Sequence, residues 1–278
     1  VFGALGVLPL AKGTLFLICL AVMLLSSGYF IFQKKWLFGV ATILTPFLIM
    51  IAFWLLSGQK LGSIPGYFLN LFQIIIGYTE AMGNHNGPVL QVVYFLVSVT
   101  CLVTCLFLQK NLSRVDKLYL LGIFSCYLFI SFKGGFVRHD VHAVIAGSAI
   151  LFSGIFFMSQ FGGIGPLIVG AVCVMSWALI NGAYVSIKPI HVYHHFGHIH
   201  EKAFNNFVKL ITQFDLVNSE FENQKNNIRD KNKIPNLRGT ADIYSFGQVE
   251  LISSGNIWSP RPILQSYSVY TERLAKIN

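Results

Sequence analysis

The stretch "WLFGVATILTPFLIMIAFWLL", Trp36 to Leu56, contains no charged side chain. A helix needs about 20 consecutive apolar residues to cross the hydrocarbon core of a bilayer. The stretch therefore predicts a transmembrane helix. Comparable apolar runs occupy residues 14–32, 88–108, 118–132, 142–159 and 166–187. Together they predict an all-α polytopic membrane helix bundle of about six transmembrane helices within residues 1–187.

Composition supports a membrane protein over a soluble one. The 278 residues are 54% hydrophobic and only 11% charged, whereas about a quarter of the residues of a soluble domain are charged. Much of the net charge of +9 comes from lysines and arginines that flank the apolar runs, where membrane proteins carry them. We therefore expect no nucleic-acid partner. The five cysteines all lie within apolar runs, which indicates neither a disulfide framework nor a thiolate metal site.

The positions of the cations predict which loops share a side of the membrane. Lys34 and Lys35 follow the first run, and residues 109–117 between the third and fourth runs add Lys110, Arg114 and Lys117. The excess of cations assigns these loops to the cytoplasm. Residues 57–87, the loop before residue 143 and the tail 188–278 then face outward. The chain would also begin outside, so we expect further spans upstream of Val1.

The first outward segment predicts an unusual element. Its apolar part, Tyr67 to Ile76, is too short to cross, so we expect an interfacial or re-entrant helix within residues 61–80. Non-helical backbone at such depth is tolerated only where protein buries it or where it lines a cavity. The segment leads to Glu80, a candidate catalytic carboxylate, and to His85, a candidate substrate ligand.

The tail, residues 188–278, changes to a polar composition and predicts a small α/β extracytoplasmic appendage. Apolar residues recur at steps of three and four from Phe204 to Phe214, which indicates an amphipathic helix. Residues 223–236 resemble a loop. The alternation in residues 241–252 predicts one or two short strands.

The loop "KGGFVRHDVHA", Lys133 to Ala143, carries the densest mixed charge and lies at the edge of a predicted span. Ionisable residues so close to a bilayer are candidates for function. A structural alternative remains open, in which the charges are interfacial anchors and a self-satisfied ion pair. The candidate roles are phosphate binding for Lys133 and Arg138, general base for Asp140 and Glu80, and general acid or phosphate ligand for His139 and His142.

A histidine-rich stretch opens the tail, "IHVYHHFGHIH" from Ile190 to His200. Imidazole is a common zinc and copper ligand, which makes His191, His195 and His198 an alternative metal site. We favour instead a membrane-proximal helix whose histidines meet lipid headgroups or line the mouth of the site. We therefore expect no metal ion or other cofactor.

Near the C-terminus, "NIWSPRPILQSYSVYTERL" offers two further candidate substrate ligands, Arg261 and Tyr267. The prolines on both sides of Arg261 restrict the backbone and would aim the guanidinium group. The alternative is an extended segment that packs on the tail's own core.

Three of these motifs carry a resemblance: "GYTEAM" at residues 77–82, "FVRHDVH" at residues 136–142 and "PRPILQSYSVYT" at residues 260–271. As a set they resemble motifs of uncharacterised bacterial polytopic membrane proteins. In plan those proteins are similar to envelope glycan enzymes of the glycosyltransferase-C and O-antigen ligase or polymerase type.

The resemblance implies a location and an activity. It implies a multi-pass protein of the bacterial inner membrane that transfers a glycosyl or glycan group from a polyprenyl-(pyro)phosphate-linked donor at the outer face. The alternative is a non-catalytic subunit or a transporter of an anionic lipid or glycan. The expected partners are the membrane, a polyprenyl-linked glycan or anionic lipid, and further membrane subunits or a missing N-terminal segment.

Overall fold

The computed structural model describes residues 2–84, 86–185, 189–243, 247–263 and 268–278, with the side chains of all these except Thr14 and residues 189–197. The chain divides into two compact units, residues 1–186 and residues 187–278.

The first unit is an all-α bundle, as the sequence predicts. Six described helices are long and apolar enough to cross a membrane, namely α3 to α8, and α2 has 17 residues. The helices are α1 (Ala4–Ala11), α2 (Phe16–Phe32), α3 (Trp36–Leu56), α4 (Ile64–Met82), α5 (Val89–Leu108), α6 (Arg114–Phe136), α7 (Ala143–Gln160) and α8 (Ile164–Asn181).

Close helix packing forms the centre of the bundle. Gly154 of α7 faces Cys173 of α8 so closely that a Cβ atom on the glycine would lie 2.6 Å from the Cys173 Cβ. Ser98 of α5 donates a buried 2.8 Å hydrogen bond to Ser176 of α8. Small residues and buried hydroxyl pairs of this kind hold helices together in lipid, where apolar surface alone gives no preference for a partner.

Helices α2 and α6 run antiparallel, and polar contacts fix their register. The hydroxyls of Ser26 and Tyr119 lie 3.0 Å apart, and the Tyr29 hydroxyl donates a 2.7 Å hydrogen bond to Asp116. Asp116 also forms a capping box with Ser113 at the start of α6, which satisfies backbone groups there. This cap is why α6 begins earlier than the apolar run 118–132 from which the span was predicted.

Helix α3 runs parallel to α6, because both run antiparallel to α2. The α2–α3 pairing follows from the short loop between them and from the 2.9 Å hydrogen bond that Ser27 donates to the Gly39 carbonyl. The C-terminal ends of α3 and α6 therefore lie at the same end of the bundle. We call it the upper end, and the end with residues 33–35 and 109–113 the lower end.

Helix α4 begins and ends at the upper end. Its Tyr67 ring contacts Trp54, near the end of α3, at 5.2 Å between centroids. Just past its other end, the Asn84 amide donates a 2.8 Å hydrogen bond to the Val137 carbonyl, one residue after α6. The 19 residues of α4 measure about 28 Å. Although this length and composition would let α4 cross the membrane, the contacts of its two ends favour an interfacial helix. This helix is longer than the apolar stretch Tyr67–Ile76 from which it was predicted.

The second unit is mostly helical where it is described. It contains α9 (Pro189–Thr212), α10 (Phe214–Asn232), α11 (Gln248–Ser253) and α12 (Glu272–Ile277). The two-residue strands β1 (Thr240–Ala241) and β2 (Ile257–Trp258) pair in parallel.

Two expectations for the tail were wrong. Most of the expected loop 223–236 belongs to α10, where side chains three residues apart interact, as Lys225 and Glu222 do at 3.2 Å; such pairs support a helix despite a polar composition. In residues 241–252, α11 occupies residues 248–252, Ala241 is the one described residue in a strand, β1, and Tyr244, Ser245 and Phe246 lie outside the described residues.

The arrangement of α4 predicts a labelling pattern for the protein in sealed vesicles. With the five native cysteines replaced, Gln59→Cys and Asn86→Cys should react with a membrane-impermeant maleimide from one side, because both ends of α4 lie at the upper end. Lys34→Cys and Lys110→Cys should react only from the other side. Labelling of Gln59→Cys and Asn86→Cys from opposite sides would show that α4 crosses the membrane.

Candidate functional site

A charged cluster forms in the turn between α6 and α7. Arg138 Nε donates a 3.0 Å hydrogen bond to Asp140 Oδ2. The other carboxylate oxygen, Oδ1, accepts the backbone amide of His142 at 2.9 Å and lies 2.5 Å from His142 Nδ1. One carboxylate thus binds an arginine on one side and a histidine on the other.

The Asp140 carboxyl group is held in its ionised form. The hydrogen bond from the His142 backbone amide, followed by the His142 and Arg138 side chains, lowers the pKa of Asp140 to about 2, although partial burial opposes the shift. A carboxylate with so low a pKa is a weak proton acceptor near neutral pH. The geometry therefore assigns Asp140 to orienting His142 more readily than to the general-base role expected from the sequence.

His142 combines orientation with access. Its Nδ1 lies against Asp140, while about a third of its side chain is exposed, at 36%. A histidine held in this way presents Nε2 for proton transfer, and the carboxylate stabilises the imidazolium that forms. The pair is a suitable acid–base dyad.

One cation contacts the dyad, and a second lies in the last turn of the preceding helix. The hydrogen bonds among described residues engage only Nε of Arg138, so its terminal amino groups remain available to a ligand, and 43% of its side chain is exposed. Lys133, in the last turn of α6, is half-buried and makes no side-chain ion pair within the described part of the chain. A guanidinium and an ammonium group together match a phosphate or pyrophosphate.

His139 points inward and holds the turn in place. It is only 8% exposed, and its Nε2 lies 2.9 Å from Gln91 Oε1, which also accepts a 2.9 Å hydrogen bond from the Tyr184 hydroxyl. Burial lowers the pKa of His139, and the nearby charge of Asp140 partly opposes the shift. A neutral His139 therefore links the turn to α5 and to the segment after α8.

The structure brings the segment after α4 to the same turn. Asn84 pairs with Arg138 in an isolated parallel bridge, and a Cβ atom on Gly87 would lie 2.0 Å from the His139 ring. Glu80, four residues before Asn84, is exposed at the end of α4. His85 lies outside the described residues.

An apolar groove between α5 and α6, lined also by Phe157 of α7, leads toward this turn. Its volume is about 300 Å³, and Phe95 and Phe132 line it. Both rings also contact Phe136, and Phe136 contacts His139 at 4.9 Å between centroids. An aromatic path therefore connects the groove to the charged cluster.

Arg261 is engaged within the second unit. Its Nε donates a 2.6 Å hydrogen bond to Asp242, and Trp258 donates a 3.0 Å hydrogen bond to the same carboxylate. The hydrogen bond from Trp258, followed by that from Arg261, lowers the pKa of Asp242. These contacts connect the segments around β1 and β2, which favours the structural alternative for Arg261. Tyr267 lies outside the described residues.

For the histidine-rich stretch, the structure describes a helical backbone and the last side chains only. His198 lies 3.7 Å from Glu201 and is largely exposed. The side chains of His191 and His195 lie outside the described part. Among the described residues, no group of three histidine, cysteine or carboxylate side chains is placed to hold a metal ion.

Sequence reasoning missed Gln91, Tyr184 and the groove. Gln91 had a usable signal, because it is a polar residue near the start of an otherwise apolar span, where polar side chains tend to be functional. The sequence gives no signal for the groove, because the apolar residues that line it do not differ in type from lipid-facing or core residues.

Comparison of the chain with protein-family models, with curated proteins and with solved structures gave no match. The motif resemblance stays a prediction.

The buried His139 predicts a pH dependence of stability. The folded state disfavours the charged imidazole, so the stabilisation is present above the unfolded pKa of about 6.5 and is lost as the pH falls below it. Asp140 contributes no loss in this range, because its pKa values lie lower in both states. Between about pH 7.5 and pH 5, the unfolding temperature of the wild type should therefore fall more than that of His139→Gln.

The matched control is His200→Gln, which changes an exposed histidine and should keep the wild-type slope. Equal slopes for His139→Gln and the wild type would contradict a buried, neutral His139.

Proposed function

We propose that the protein is a membrane-embedded glycosyl or glycan transferase that uses a polyprenyl-(pyro)phosphate-linked donor at the outer face of a bacterial inner membrane. The observation that carries this proposal is the Asp140–His142 pair beside Arg138, at the head of an apolar groove. Acid–base catalysis, anion binding and an apolar chain site then occur together at one end of the bundle.

The cations bind the donor's phosphate groups. The free amino groups of Arg138 and the ammonium group of Lys133 neutralise the pyrophosphate and stabilise the charge that develops as it leaves. Preorganised charges at the edge of a low-dielectric region are well suited to this task. The groove between α5 and α6 accepts the first part of the isoprenoid chain, and Phe132 and Phe136 separate that chain from the charged turn.

The dyad carries the proton. His142 Nε2 removes the proton of the acceptor hydroxyl as the acceptor oxygen bonds to the anomeric carbon of the donor sugar. The bond between that carbon and the phosphate oxygen breaks, and the pyrophosphate leaves with the electron pair. Asp140 stabilises the resulting imidazolium. Glu80 stays a candidate for a second carboxylate that binds acceptor or sugar hydroxyls, and His139 positions the turn.

The proposal predicts the effect of removing the imidazole. In His142→Ala, release of polyprenyl pyrophosphate from a lipid-linked glycan donor should fall by about 10² to 10⁴-fold, the usual contribution of a general base. Purified full-length protein in lipid nanodiscs, with donor and acceptor glycan, provides the assay. Asp140→Asn should show a smaller loss of rate and an altered pH profile, since it changes the orientation of His142 and leaves the ring in place.

Two further variants separate binding from chemistry. Arg138→Ala should weaken the binding of polyprenyl pyrophosphate itself, measured by native mass spectrometry, and abolish transfer. Lys110→Ala removes a cation at the lower end and should change neither. Wild-type transfer rates in His142→Ala would contradict the mechanism. Tight lipid binding by the wild type without any transfer would favour the alternative, a carrier or subunit that binds an anionic lipid.

A further inference from the structure

Helix α9 presents an apolar face that its own unit leaves open. In its C-terminal half, large apolar side chains recur at helical spacing on one side, while Lys202, Asn205 and Lys209 lie on the other. The exposed fractions on the apolar side are 67% for Phe204, 60% for Phe207, 50% for Leu210 and 65% for Ile211. Four large side chains left this exposed on one helix indicate a surface that is covered in the native setting.

The core of the second unit is elsewhere. Leu251 of α11 and Leu274 of α12 are buried, at 3% and 1% exposure. Helix α9 packs against α10, and Lys209 bridges to Glu220 at 2.8 Å. This contact uses the polar side of α9 and leaves the apolar face outward.

The chain limits how far the start of α9 can lie from the membrane. Helix α8, long and apolar enough to span, ends at Asn181, and α9 begins at Pro189. Eight residue steps reach about 28 Å at full extension, which is comparable to the thickness of the hydrocarbon core. The end of α8 belongs to the upper end of the bundle, since Tyr184 bonds Gln91 at the start of α5. The tail therefore leaves the bundle at the end that carries the charged cluster.

We propose that the C-terminal half of α9 lies in the membrane interface, with Phe204, Phe207 and Ile211 inserted among the lipid acyl chains. An amphipathic helix of this kind inserts its apolar face about 5–10 Å into the headgroup and acyl boundary. The bilayer therefore covers the apolar face of α9.

Apolar insertion, and not charge, drives this docking. Lys209 is engaged by Glu220, and Glu201 offsets the charge of Lys202, so the C-terminal half of α9 carries little net positive charge. Docking should therefore persist in neutral phosphatidylcholine vesicles and at high salt, unlike the binding of a polybasic segment.

The test uses the full chain in such vesicles, with the native cysteines replaced and one cysteine labelled with the environment-sensitive fluorophore NBD. At Phe207→Cys the emission should be shifted to the blue, quenched by doxyl-labelled lipids and protected from aqueous iodide. At Asn205→Cys, on the opposite side of the same helix, iodide should quench and doxyl lipids should not. Both results should be unchanged by anionic lipid or salt.

A second variant tests the cause. The label is placed at Phe204→Cys. In the double variant Phe207→Asp with Ile211→Asp, the label should lose quenching by doxyl lipids and gain quenching by iodide. In the control double variant Asn205→Asp with Asn206→Asp, the quenching of the label should not change. Iodide quenching at position 207 equal to that at 205 would overturn the proposal. Protection at 207 from both quenchers would also overturn it, because the face would then be covered by protein.

Discussion

The hydrogen bond from the Asn84 amide to the Val137 carbonyl is the contact on which the rest of the site depends. It joins two segments that are 53 residues apart in sequence, the end of α4 and the turn after α6. Beside it, Gln91 accepts hydrogen bonds from both His139 and Tyr184, so three parts of the bundle are connected at one point. Backbone polar groups near a bilayer must find protein partners because little water is available to replace them. Pairing of these segments satisfies that requirement, and it also fixes the turn from which Arg138 and His142 project.

An ionised carboxylate at the edge of a membrane needs compensation, and the turn supplies it locally. Asp140 accepts hydrogen bonds from the His142 amide, from the His142 ring and from Arg138, and these contacts lower its pKa to about 2. The carboxylate neutralises one positive charge, so Lys133 and the terminal amino groups of Arg138 remain available to bind a ligand. The Arg138–Asp140 ion pair could serve a purely structural turn. Here Asp140 also orients His142, and with Lys133 the turn keeps a net positive charge. An amphipathic anion, with its chain in the groove and its phosphate at the turn, matches both features.

Much of this architecture could be predicted from the sequence, because the bilayer imposes a length and a polarity on each span. The runs 36–56 and 88–108 became α3 and α5 nearly residue for residue, and the distribution of lysines and arginines predicted that residues 57–87 and the turn after α6 lie on one side of the membrane. The role of Asp140 could not be predicted, since it depends on which donors the folded turn directs at its two oxygens. Gln91 and Tyr184 were missed because the residue that contacts Gln91, His139, was interpreted as a candidate acid or phosphate ligand and not as a buried structural group. The C-terminal part of α10, from residue 223, was missed because its support comes from pairs of polar side chains, which composition alone does not reveal.

The most direct test of the account is a disulfide cross-link between the two segments that form the site. In a protein without its native cysteines, Asn84→Cys and Arg138→Cys replace the bridged pair, whose close backbone approach suits a disulfide, for which Cα atoms lie about 4.4–6.8 Å apart. Mild oxidation in native membranes should cross-link them rapidly, while Asn84→Cys with Lys110→Cys, at opposite ends of the bundle, should stay reduced. Rapid cross-linking of the first pair alone is the predicted result. Failure of that pair to cross-link in folded protein would show that the end of α4 does not meet the charged turn.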